Sequence, residues 1–74
     1  MNTHFIEHKT DGWIRGIKSA VPNLAIGQNI SIMSSKKGNY HRDIYRIVNI
    51  QTTIGKTEDV VIQNVYCEKV GEEE

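Results

Sequence analysis

The sequence predicts a small all-β domain, five short strands curling into a barrel. Three observations carry that prediction. Apolar and polar residues alternate at a period of two in several short runs, and no window keeps a 3.6-residue period for even three turns. β-Branched residues are abundant, whereas leucine occurs once, at Leu24. Clusters rich in Gly, Asn, Asp and Lys separate the runs at the short spacings of a small sandwich or barrel.

The first two strands lie in "HFIEHKTDGWIRGIKS", where two runs flank Thr10-Asp11-Gly12, and Asp-Gly is among the strongest short hairpin signals. Alternation in the second run puts Trp13, Arg15 and Ile17 on one face and Ile14, Gly16 and Lys18 on the other, with Gly16 marking a bend or bulge. "SAVPNLAIG" then breaks the pattern as the longest irregular connection. Val21 is pushed toward extended geometry by Pro22, and Asn23 stands at a turn-prone position. "GQNISIMS" resumes the alternation with Ile30 and Ile32 inward. "SKKGN" is turn chemistry, Gly38 and Asn39 supplying positive φ. In "YHRDIYRIVNI", Ile44, Val48 and Ile50 share parity with Arg46 while Tyr45 and Ile47 have the opposite parity, so a bulge near Ile47 is expected to switch the inward face. "QTTIGKTED" reads as a second turn with Gly55 and Lys56 at its tip. "VVIQNVYCEKV" is the last strand, its apolar start fitting burial on both faces.

In number and spacing these antiparallel hairpins resemble an SH3-like barrel. An OB-like barrel is the alternative, but it normally carries a helix between its third and fourth strands, and "SSKKGN" is too short for one. Residues 1–70 are expected to form the single barrel domain and residues 71–74, "GEEE", a disordered acidic tail. Unrelated functions share such barrels, so the resemblance fixes no activity.

A chain of 74 residues sits near the lower limit for folding without disulfides or metal. An oligomeric interface, a homodimer or higher oligomer, is a natural supplement. The composition, 38% apolar and 24% charged, is that of a globular domain and not of a disordered chain. The single cysteine, Cys67, excludes an intrachain disulfide. No apolar run approaches the length of a transmembrane helix, and "MNTHFIEHKT" lacks the basic and apolar regions of a signal peptide, so a cytoplasmic protein without membrane attachment is expected. Net charge is zero but unevenly spread: seven basic against three acidic residues in 1–50, and two against six in 51–74.

Enzyme readings find little support. His4 and His8 have zinc spacing only on a helix, since four residues of strand span about 13 Å, so no metal site is expected. Cys67 has no nearby histidine in sequence and reads as a small core residue. Ser34 or Ser35 with His41 and Asp43 supplies the residue types of a triad without any sign of its geometry. No phosphate-loop spacing and no paired carboxylates occur. A non-enzymatic module with no catalytic residues and no cofactor is the expectation.

Binding remains, in two forms. A protein-binding module (an adaptor, an assembly subunit or a small inhibitor) would anchor a partner through Trp13, Arg15 and Tyr45, since aromatic and arginine side chains dominate interface energetics. Its edge strands add a route through backbone pairing, which also yields a homodimer. The alternative is a nucleic-acid- or nucleotide-binding barrel using Lys36, Lys37, Tyr40, Arg42 and Arg46, with cations on phosphate and aromatic faces on bases. The neutral total weighs against it, because dedicated nucleic-acid modules carry a basic excess. Small chains rich in Ile, Asn and Lys are also frequent among bacteriophage and mobile-element accessory proteins that block a host factor. Such an origin suits the protein-binding form.

Overall fold

The computed structural model describes residues 1–73, apart from the side chain of Lys36, and is all-β. Strand β1 spans Asn2–Glu7, β2 Trp13–Ile17, β3 Asn29–Lys36, β4 Asn39–Ile54 and β5 Val61–Glu73. They form one mixed sheet in the order β2-β1-β5-β4-β3, strongly curled into a half-barrel. The five-stranded β architecture is as the alternation predicts. The pairing departs from an all-antiparallel arrangement at one place, where β1 and β5 run parallel from Asn2↔Ile62 to Glu7↔Cys67. The reason is topological. The antiparallel run β3–β4–β5 brings the last strand back beside the first in the same direction, and so places β5 in the middle of the sheet with β1 next to it.

Curling comes from bulges, which bend a strand and sharpen its twist. Between β4 and β5 the register shifts twice, so that Val48 and Val70 are extra residues on their strands. The expected switch at Ile47 is therefore real: Tyr45 and Ile47 face inward before it and Ile50 after it. On its other side Ile47 meets a second irregularity. Gly27 N–H donates to the Ile47 carbonyl (2.8 Å) while Ile47 N–H donates to the Gln28 carbonyl (2.9 Å), so two residues oppose one. Gly27 has φ 92, a conformation that a side chain would strain. A third shift, between Phe5 and Ile6, makes Ile14 the extra residue of β2.

The core lies on the concave face and is small: Phe5, Tyr45, Ile47, Val65 and Cys67, ringed by half-buried Ile14, Ile17, Ile30, Ile32 and Ile50. β2 and β3 do not pair, and the 18–28 connection fills in beside the core with Val21 and Leu24. That connection is tied down by Thr3, which is fully buried. Its hydroxyl donates to the Ser19 carbonyl (2.7 Å) beside Gln63 Oε1, which also accepts from Val21 N–H (3.4 Å).

Two expected boundaries move. Gln51–Ile54, read as turn, continue β4 because Thr52, Thr53 and Ile54 pair with Gln63, Ile62 and Val61. Gly71–Glu73, read as a frayed tail, continue β5 against Arg42–Ile44, while Glu74 lies outside the described residues. The apolar start of β5 is also only half-buried, at Val61 and Ile62, because the outer face there is not covered. The result is a long molecule, 43 × 26 × 24 Å, in which the ends of β3, β4 and β5 project as an arm beyond the core.

Ile47, 1% exposed and held between two bulges, should dominate stability. Ile47→Ala is expected to cost about 3 kcal/mol, whereas Ile54→Ala, at a side chain 72% exposed, should stay within about 0.5 kcal/mol. Urea denaturation of both variants checks the difference.

Candidate functional site

The bulge at Ile14 decides what the convex face presents. It turns Ile14 and Arg15 toward the concave side against Phe5, and leaves Trp13 opposite Ile6 on the outside. Trp13 and Arg15, expected together, are therefore on different faces. The indole lies over Gly16: a Cβ there would stand 2.5 Å from its ring, so only glycine accommodates it. His4 meets the same indole edge-to-face, ring centroids 4.8 Å apart. Seated this way, Trp13 is still 63% exposed. It is a surface residue and not the main core aromatic.

Cross-strand register extends this seat into a row. Trp13 faces Ile6 on β1, Ile6 faces Tyr66 on β5, and Tyr66 faces Asn49 on β4. The next row is Gly16, His4, Asn64 and Gln51. Polar side chains brace it: Asn64 Nδ2 donates to Thr53 Oγ1 (2.8 Å), and the Tyr66 hydroxyl reaches Gln51 Oε1 at 3.5 Å. The outcome is a convex strip, apolar and aromatic along one line and amide-rich along the next. Nothing in the sequence marks Tyr66 or Ile6 as part of a site, and His4 is weighed there only as a zinc ligand with His8. Tyr66 alternates with Val65 and Cys67, but only the non-local β1–β5 register shows that it stands beside Trp13.

Tyr45, the third expected anchor, is a core residue at 9% exposure, because the residue before the Ile47 bulge points inward. Burial, and then the charge of Asp43, raises its phenol above the usual 10.0. It is not a surface anchor.

The basic hairpin comes out divided. Tyr40, Arg42 and Arg46 do share the convex face while His41 and Tyr45 take the concave one. Both arginines, however, stand opposite acids of β5. Arg46 hydrogen-bonds Glu68, whose carboxyl is held below its usual range by that contact, and Arg42 lies 4.0 Å from Glu73. Lys37 is exposed at the turn tip, with φ 52, and the Lys36 side chain lies outside the described residues. Little uncompensated positive charge is left on this face.

On the concave side of the arm, His41 Nε2 is 3.2 Å and Lys69 Nζ 3.4 Å from Asp43 Oδ1, an oxygen that is buried and receives no well-aligned hydrogen bond. Lys69 also binds Glu72, which raises its pKa. Ser34 faces His41 in register but is joined to it by no hydrogen bond among the described residues. Nor do the described residues enclose a pocket, or bring three His, Cys, Asp or Glu side chains together as a metal site would. Cys67 is fully buried, as its sequence context suggested. Among the described residues no helix is long and apolar enough to cross a membrane.

No protein-family model, curated protein or solved structure matches this chain.

Burial pushes the Cys67 thiol up to about 11 from its ordinary 9.0, with the Glu7 charge adding to the shift. The folded chain keeps this proton where the unfolded chain has lost it. The stabilisation is thus complete below pH 9.0 and lost as pH rises to about 11. Tyr45 acts in the same direction. Urea midpoints should fall across that window, and Cys67→Ser should flatten the part due to the thiol.

Proposed function

We propose that this protein is a non-enzymatic binding module that engages a protein partner through its convex aromatic strip. One observation carries the reading. Trp13 is held 63% exposed, on a glycine and against His4, at the head of a row continued by Ile6 and Tyr66. An indole that is both exposed and fixed loses little entropy when covered, and tryptophan is among the residues most enriched at the energetic centre of interfaces. The surrounding Asn64, Gln51, Asn49 and Thr53 supply the amide and hydroxyl rim such a centre needs. Arg15, across the β2 edge, reaches only a partner that wraps the rim.

Nucleic acid or nucleotide is the less supported ligand. Beside the strip Arg46 is matched to Glu68, and further along the hairpin Arg42 lies against Glu73. An adaptor, an assembly subunit or a small inhibitor that occludes a host factor, as phage accessory proteins do, fits a rigid strip without a pocket. We place it in the cytoplasm, where a buried thiol stays reduced.

Capture of one partner from lysate is expected to survive nuclease and high salt, and to be lost on Trp13→Ala or Tyr66→Ala without unfolding. Gly16→Ala, which keeps the indole but drives it from its seat, should weaken capture by tenfold or more, about 1.4 kcal/mol. Capture abolished by nuclease, or undisturbed by all three substitutions, overturns the reading. Binding to labelled single strands that weakens steeply with salt would favour the alternative.

A further inference from the structure

The two edges of the sheet are not equivalent. β2 is short, bulged at Ile14 and carries Arg15, features that discourage another strand from pairing with it. β3 has none of these. Its eight residues keep an unbroken register with β4 from Asn29↔Arg46 to Lys36↔Asn39, and Asn29–Ser35 contains no charge and no proline. Lys37 and Gly38 both have positive φ, the geometry of a two-residue hairpin of type I′, so the closing pair Lys36↔Asn39 is hydrogen-bonded. Alternation back along the ladder commits Ser34, Ile32 and Ile30 to β4 and turns the N–H and C=O of Ser35, Met33, Ser31 and Asn29 outward. Among the described residues no other backbone segment meets those groups.

The surface area of the chain is also large for its mass. A folded monomer of 8.4 kDa exposes about 4,600 Å², whereas this chain exposes 5474 Å². The excess is close to the roughly 800 Å² that each partner contributes to a standard interface. The radius of gyration, 13.2 Å, likewise exceeds the roughly 11 Å expected of a compact chain of this length.

We propose that β3 is a self-association edge, on which the β3 of a second copy of this chain pairs antiparallel across a twofold axis. The occupant is a second copy because the edge is self-complementary. An antiparallel twofold runs perpendicular to the sheet and keeps inner faces together. Full overlap of Asn29–Ser35 centres it on Ile32, which then packs on Ile32 of the second copy. Ser31 exchanges hydrogen bonds with the second copy's Met33, and no two like charges face one another. Met33, 59% exposed in the single chain, becomes covered. Joining at β3 leaves β2 at both far ends of a ten-stranded sheet, so each dimer carries two Trp13 strips. This inference does not rest on what those strips bind.

Light scattering of the full chain from micromolar to millimolar concentration tests it. The expected mass rises to twice 8.4 kDa, and Ser31→Pro, which deletes one outward N–H per copy and no β4 bond, weakens dimerisation at least about tenfold. Met33→Lys does the same by opposing charge and desolvation, and decides the matter should the proline variant not fold by circular dichroism. Trp13→Ala leaves the dimer intact. A chain that stays at 8.4 kDa throughout, or a dimer that resists Met33→Lys and dissociates with Trp13→Ala, overturns the proposal.

Discussion

Everything in this molecule hangs on how Ile47 is held. Two strands flank it, and on each side two residues oppose one: Gly27 and Gln28 toward β3, and the extra Val48 in its own strand toward β5. Such irregularities on both sides of one residue concentrate twist and bend there. Five strands can therefore curl around a core of five buried apolar side chains among the described residues. Without that curl the same strands would form a flat sheet with two wet faces. The convex surface, and the exposed indole on it, are the outside of this bend.

Alternation made much of the fold readable, because a period of two is a local property. The inward Ile30 and Ile32 and the switch near Ile47 follow from it, and the hairpin at Asp11-Gly12 from an equally local turn signal. The candidate site was less readable, and bulges explain why. A bulge flips the face of every residue beyond it, so one unforeseen extra residue at Ile14 separated Trp13 from Arg15. The bulge that was foreseen still left Tyr45 on the wrong side of the surface assignment, since parity before it points inward. Tyr66 was out of reach for another reason. Its neighbour Ile6 lies 60 residues away in the chain, and only the parallel register joins them.

Charge tells a similar story of distance. The sequence separates a basic first part from an acidic end, which suggests a basic surface and a loose tail. Folding lays one on the other. Glu68, Glu72 and Glu73 return alongside Arg46, Asp43 and Arg42, and Lys69 joins Asp43 to Glu72. Exposed pairs of this kind add little stability individually. Their larger effect is on the field. A hairpin that would attract polyanions is screened by its own chain, so the aromatic strip is the most distinctive feature of the convex face.

The parallel contact between β1 and β5 has a temporal side. During synthesis Asn2 emerges long before Ile62, its partner in the sheet. The β1–β2 pairing is local, but the inner edge of β1 has no partner until nearly all of the described chain is available. Pairings at such sequence separation are slow to close and cannot be rehearsed locally. The nascent chain therefore passes through an interval in which two bare edges, that of β1 and that of β5, are open to the wrong strand.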